Sequence, residues 1–168
     1  MINVVLYEPE ITENTGNIMR TCVATNATLH LIQPFGFLFS EKLLKRSGVN
    51  YLDKLNYVIY DDYEDFLSKN KGTFYYFTRY GKKPHTSFDY SKKDGNIYLI
   101  FGKESTGIPK EILQDHLDNC MRIPMSENVR CLNVSNSVAI AVYEVLRQQD
   151  FKELSTIEIQ KGEDYLDK

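Results

Sequence analysis

Short apolar runs alternate along this chain with stretches whose apolar positions recur every three or four residues. Ile2–Tyr7, 29–33, Tyr57–Tyr60, 73–78, Ile97–Phe101 and 119–123 are rich in β-branched and aromatic residues and predict strands. Helical spacing is predicted from about Gly16 to Asn26, with Asn14 or Thr15 as cap. Further helices are predicted over 41–47, closed by Gly48, over 62–69 with an acidic first turn, from Pro109 onward, and over 136–149. The run Ile97–Phe101 is apolar throughout, the pattern of a strand buried on both faces of a parallel sheet. Strand and helix in alternation give an α/β fold, a parallel sheet covered by helices. One domain is expected over 1–150, followed by a solvated acidic tail over 151–168. The last helix is apolar nearly all round between Val138 and Val145, so it is expected to be buried on two sides. The second side is either core or another subunit.

Three polar strings follow apolar runs. They are residues 14–20 (Asn-Thr-Gly-Asn-Ile-Met-Arg), residues 101–109 (Phe-Gly-Lys-Glu-Ser-Thr-Gly-Ile-Pro), and residues 123–125 running into 130–137. In an open α/β sheet the ligand crevice lies outside the carboxyl ends of the strands, so three such loops point to one shared site. In the first, Gly16 permits a tight turn and Asn14 and Thr15 can satisfy free amides at a helix start. Arg20 then stands one turn in, where a guanidinium can hold a phosphate or ribose oxygen; the alternative is a plain cap with a surface arginine. In the second, Gly102 and Gly107 have the spacing of a phosphate-binding loop, but Ile108 and Pro109 replace the required Lys and Ser/Thr. Triphosphate binding is thereby disfavoured, and the spacing is not that of a dinucleotide fingerprint. Two glycines around Glu104 suit backbone lying close to a flat ligand, or simply a Gly-rich turn. In the third, Asn133, Ser135, Asn136 and Ser137 precede an apolar helix that needs only one cap, which leaves hydrogen-bonding capacity for a ligand with polar edges.

Composition narrows the class. The chain has 168 residues and a net charge of −3, with no run long enough to span a membrane and no export signal at its start, which points to the cytoplasm. Three cysteines without close pairing read as reduced thiols, and three scattered histidines give no metal site. Residues 150–168 carry six acidic residues against three lysines, so the charge of the body is balanced. With no lysine-rich arm, nucleic acid would be held by local patches. Lys42, Lys45 and Arg46 form one candidate patch, and Arg79, Lys82 and Lys83 another.

Taken together, the strings resemble the motifs of the SPOUT methyltransferases, and more closely those of the TrmL/YibK family, the tRNA (cytidine/uridine-34)-2′-O-methyltransferases. The likeness spans roughly residues 1–149 and includes Leu6-Tyr7-Glu8-Pro9-Glu10-Ile11 and Gln33-Pro34-Phe35-Gly36-Phe37. The resemblance implies a parallel α/β sheet with a C-terminal trefoil knot, a homodimer, and S-adenosylmethionine as methyl donor with no metal. It places Phe77, Gly102, Ile123 and Cys131 at cofactor-contacting positions. It places Asn14, Arg20, Glu104 and Asn133 at positions for catalysis or the substrate ribose, and Tyr143 at one tied to dimerisation and activity. Cys131 stands where the family usually has Ser, and Phe77 where it usually has an aliphatic residue. The substrate implied is the ribose 2′-hydroxyl of the wobble nucleotide in the anticodon stem-loop of tRNA. Because a guanidinium keeps its protons at neutral pH, Arg20 is expected to orient the ribose or phosphate rather than to act as base. Two rival readings are a ribosomal-RNA 2′-O-methyltransferase and a non-catalytic dimer that binds S-adenosylmethionine or RNA. A first strand at residue 2 leaves no room for an added N-terminal RNA-binding domain and favours the compact tRNA target.

Overall fold

The computed structural model describes residues 1–40, 42, 51–92 and 95–167. Its strands are β1 (Ile2–Tyr7), β2 (Thr28–Ile32), β3 (Tyr57–Tyr60), β4 (Thr73–Phe77), β5 (Lys83–Pro84), β6 (Ile97–Phe101) and β7 (Cys120–Arg122). They form one sheet in the order β3-β2-β1-β6-β4-β7-β5, with every pairing parallel. The helices are α1 (Thr12–Thr25), α2 (Tyr63–Lys69), α3 (Lys110–Gln114) and α4 (Val134–Gln148).

Strand periodicity explains the two layers. Val4, Leu6, Leu29, Leu31, Leu99 and Phe101 point to one face and pack on Ile18, Met19 and Cys22 of α1 and Val138, Ala141, Val142 and Val145 of α4. Val5, Ile32, Tyr76, Tyr98 and Ile100 point to the other and meet Tyr63 and Phe66 of α2 and Leu113 of α3. Phe66, fully buried, stands edge-on to Tyr60, Tyr98 and Phe74 at centroid distances of 5.3–5.9 Å.

Several boundaries differ from those expected. Helix α1 begins a full turn before Gly16, with Ile11 as a cap residue that makes no side-chain hydrogen bond, so Asn14 and Thr15 are buried inside the helix rather than capping it. Helix α4 begins at Val134 with Asn133 as its cap, its side chain accepting from the Ser135 amide. Pro109 is the residue before α3, not its first turn. The segment between β4 and β6, where no further strand is predicted, contains the two-residue strand β5. The expected burial of α4 on two sides is not met within one chain. Val138, Ala141, Val142, Val145 and Leu146 are buried, but Ile140 and Tyr143 are exposed. The helix expected over 41–47, apart from Lys42, lies outside the described residues. No helix of the described residues is long and apolar enough to cross a membrane.

The strand order places the site. β1 lies between β2 and β6, so the chain leaves β1 toward one edge and later returns on its other side. Such a switch point opens a crevice at the carboxyl ends. Here the ends of β1, β6, β4 and β7 sit side by side: Leu6 pairs with Phe101, Phe101 with Phe77, and Phe77 with Met121.

Candidate active site

The segments leaving β4, β6 and β7 meet the start of α1 and the entry to α4 around a cleft of about 710 Å³. That volume is within the range of small-molecule sites. Its wall includes residues from all three polar strings, among them Asn14, Gly102, Glu104, Ile123, Cys131 and Asn133, together with Phe77 and Arg79.

A hydrogen-bonded chain crosses this wall. Glu104 accepts from the Glu10 backbone N–H at 2.9 Å and from the Asn14 side-chain amide at 3.0 Å. Asn14 Oδ1 in turn accepts from Asn133 Nδ2 at 2.9 Å. Asn133 Oδ1 accepts from the Ser135 N–H at 2.9 Å and the Ser135 hydroxyl at 2.6 Å. An ionised carboxylate can only accept, so Glu104 dictates that Asn14 presents its NH₂ to it and its carbonyl to Asn133. One residue from each string is thereby locked to the next.

The loop carrying Glu104 is clamped along its length. Lys103 Nζ pairs with Glu8 at 2.5 Å. The Ser105 N–H and hydroxyl both donate to the Glu10 carboxylate at 2.8 Å and hold it below the usual carboxylate range. The Gly107 N–H closes the turn on the Lys103 carbonyl at 2.9 Å. Gly102 lies where that turn folds back, and a Cβ there would stand 2.1 Å from the Gly107 carbonyl carbon. Gly107 itself has φ +77°, a conformation that favours glycine. Both glycines are therefore demanded by the shape of the loop. Behind them Phe77 stacks on Phe101, with centroids 4.8 Å apart, as an apolar floor.

This arrangement, a Gly-shaped loop, an apolar floor and a braced carboxylate–amide chain at the switch point of a parallel sheet, agrees with the match of residues 1–143 to the model of the SpoU rRNA Methylase family. The chain belongs to the SpoU methylase family. Relatives within it include the tRNA (cytidine(34)-2′-O)-methyltransferase of Escherichia coli K12, 42% identical over 151 residues, covering 88% of this chain and 94% of that protein. A Bacillus subtilis relative, whose assignment to the same activity is provisional, is 51% identical over 154 residues, covering 91% and 96%. A solved structure described as giving insight into the 2-OH methylation of C/U34 on tRNA superposes with a TM-score of 0.82. It is 36% identical and covers 90% of this chain and 98% of its own.

Against the SpoU fold the remaining expected residues separate into groups. Arg20 does not line the cleft; it is exposed on α1, with its guanidinium 5.2 Å from the Tyr51 ring centroid. Tyr143 is exposed on α4, also away from the cleft. Lys82 and Lys83 are exposed beyond the wall, and Lys83 lies over the Phe88 ring. Lys42 is exposed, while Lys45 and Arg46 lie outside the described residues. Cys131 is exposed at the cleft, a position a backbone contact could use as well as Ser. The wall also holds Lys103, Met125 and Arg130, which lie in the polar strings but were given no role, and Tyr80, which lies outside the strings and was missed. Only the position of Tyr80, between the candidate Arg79 and a glycine, could have drawn attention to it. Among the described residues no group of three or more His, Cys, Asp or Glu side chains could hold a metal ion.

Proposed function

We propose that this chain transfers the methyl group of S-adenosylmethionine to the ribose 2′-hydroxyl of nucleotide 34 in tRNA, working as a homodimer. The observation that carries the reading is the single cleft in which Glu104, Asn14 and Asn133 are joined, in a chain whose family relatives are named for that reaction. The cleft suits the donor. Its volume fits a molecule of that size, and the Gly102 turn brings backbone N–H and C=O groups where a side chain would intrude. Phe77, Gly102, Ile123 and Cys131 are the residues assigned to hold it. Bound there, it supplies an already activated methyl group.

The protein's own task is the hydroxyl, a poor nucleophile until its proton leaves. Each amide of the Asn14–Asn133 pair has a second hydrogen on its nitrogen, and we assign these to the ribose oxygens. Because the pair is braced by Glu104, its dipoles are oriented before substrate arrives, which is where electrostatic stabilisation of a developing alkoxide is gained. Arg20, outside its own cleft, is assigned to orient substrate phosphate or ribose in the cleft of the second copy. The exposed Ile140 and Tyr143 are assigned to the face on which two copies meet. Residues 1–150 carry all of these groups, and the tail beyond them none.

The test is transfer of labelled methyl to total tRNA and to ribosomal RNA, with mass-spectrometric mapping of the product. A single 2′-O-methyl group at nucleotide 34 is expected. Label appearing only in ribosomal RNA would replace this reading with the other RNA substrate, and tight donor binding without transfer to either would replace it with a non-catalytic role.

A further inference from the structure

Among the described residues four aromatic side chains are substantially exposed: Tyr80 at 67%, Tyr165, Tyr143 and Phe151. Tyr80 is the most exposed of them, and the only one on the cleft wall. A ring so placed gains nothing for the core. Yet the backbone that carries it is fixed by several contacts, and its ring has a partner in Arg79. The Thr78 N–H donates to the Met121 carbonyl at 2.9 Å, tying the start of the turn to β7. The Gly81 N–H closes that turn on the Thr78 carbonyl at 3.3 Å, and the Tyr80 N–H reaches the Thr78 hydroxyl at 3.3 Å. Gly81 presses so closely on β7 that a Cβ would stand 2.3 Å from the Met121 carbonyl carbon. At the side-chain end, Arg79 donates to the Tyr80 hydroxyl at 2.5 Å, with its guanidinium 4.7 Å from the ring centroid.

An exposed aromatic ring on a fixed turn, beside a guanidinium, is the chemistry that reads single-stranded RNA. The ring stacks on an unpaired base and the cation meets the adjoining phosphate. We propose that Tyr80 is a stacking platform for an unpaired base next to the target nucleotide, and that Arg79 both steadies the ring and contacts the phosphate beside it. The proposal rests on the RNA-methylating reading of the same cleft and adds to it how the loop is gripped. It also says why a loop is the substrate. A base within a duplex has no free face to offer, whereas a target flanked by unpaired bases does.

The experiment compares Tyr80→Ala, Tyr80→Leu, Tyr80→Phe and Tyr80→Trp. It reads affinity for an anticodon stem-loop RNA by fluorescence anisotropy, methyl transfer to tRNA, donor affinity by calorimetry, and thermal midpoint. Tyr80→Ala and Tyr80→Leu are expected to weaken RNA binding by roughly tenfold or more, as for loss of one base-stacking ring. The loss should appear in KM for tRNA, with donor affinity and thermal midpoint unchanged. Tyr80→Phe and Tyr80→Trp, which keep an aromatic face, should bind RNA within about threefold of the parent, since only the ring stacks. Equal RNA affinity for the Ala and Phe variants would overturn the proposal, as would a Leu variant that matches Phe. A parent protein that transfers no methyl, while Phe still binds RNA more tightly than Ala, would sink the functional reading and leave the platform standing.

Discussion

Glu104 accepts from the Glu10 amide on one oxygen and from the Asn14 side chain on the other, so in the proposed reading it would act on the substrate through Asn14. Glu104→Gln puts an NH₂ group where both partners are donors, so one contact is lost and the Asn14 amide can turn over. Transfer is expected to fall about 10- to 100-fold, from the 1.5–3 kcal/mol typical of a hydrogen bond to a charged group. Steady-state kinetics beside a thermal melt checks this, since a loss of fold would move the melt as well. A second buried chain has no part in the cleft. Asn3 donates to the Ile97 carbonyl at 3.2 Å, so its Oδ1 is left to accept from His30 Nε2 at 3.1 Å. His30 Nδ1 then accepts from the Tyr60 hydroxyl at 2.8 Å. That pattern requires the neutral ring, and burial pushes His30 down to about 4. The unfolded chain therefore binds a proton that the folded one refuses, so stability should drop as pH falls from about 6.5 toward 4. The loss is about 3 kcal/mol at the low end, and urea unfolding at stepped pH should show a slope that His30→Gln flattens. That Asn14, Glu104 and Asn133 border one cleft was legible in the sequence because each belongs to a polar string near a strand end, although cap chemistry explained Asn14 and Asn133 equally well there. His30 was read only as a scattered histidine, because its partners Asn3 and Tyr60 come from strands far apart in sequence.

The loop after β6 is where backbone shape matters most. Gly102→Ala would place a methyl group against the Gly107–Ile108 peptide, which cannot move without breaking the Lys103–Gly107 turn. Donor affinity measured by calorimetry should fall by tenfold or more, as a displaced loop loses its hydrogen bonds to the ligand. An Ala variant with unchanged affinity would remove this loop from the donor site. Six of the seven described strands were read to within a residue or two, since their apolar and aromatic runs stand out, whereas the exposed two-residue β5 carries no such run and was missed. Helix starts were read less well, for a physical reason. Asn14 and Thr15 have cap chemistry, but Asn14 has its partner in Glu104, ninety positions away, and that tertiary bond lets α1 run through it. Local propensity yields where a distant partner satisfies the same groups.

Taken as a whole, the molecule leaves two assigned residues, Arg20 and Tyr143, away from the cleft that the others share. Both stand on the paired helices α1 and α4, and α4 adds exposed Ile140, so exposed apolar side chains and the Arg20 guanidinium, proposed above to meet substrate, lie on one layer of the fold. In the proposed dimer, a second copy seated on that layer would cover these apolar side chains and would bring Arg20 toward its partner's cleft. The motif resemblance already implied a pair of copies, but a strand pattern describes one chain and gives no sign of which face would be covered. Ile140→Glu places a charge in the contact, and sedimentation should then show a monomer in place of the parent dimer, with methyl transfer lost. A parent that sediments as a monomer would end the assignment. The sharper test mixes two impaired variants, Arg20→Ala and Glu104→Gln, under conditions that let subunits exchange. If Arg20 serves its own cleft, every site in the mixture lacks one group and transfer stays at the level of the separate variants. If it serves the partner's cleft, each mixed dimer contains one cleft with an intact Glu104 brace facing an intact Arg20 from the neighbour, and transfer returns. The same dimer contains a second cleft that lacks both groups, so the recovered rate should approach half that of the parent per mixed dimer.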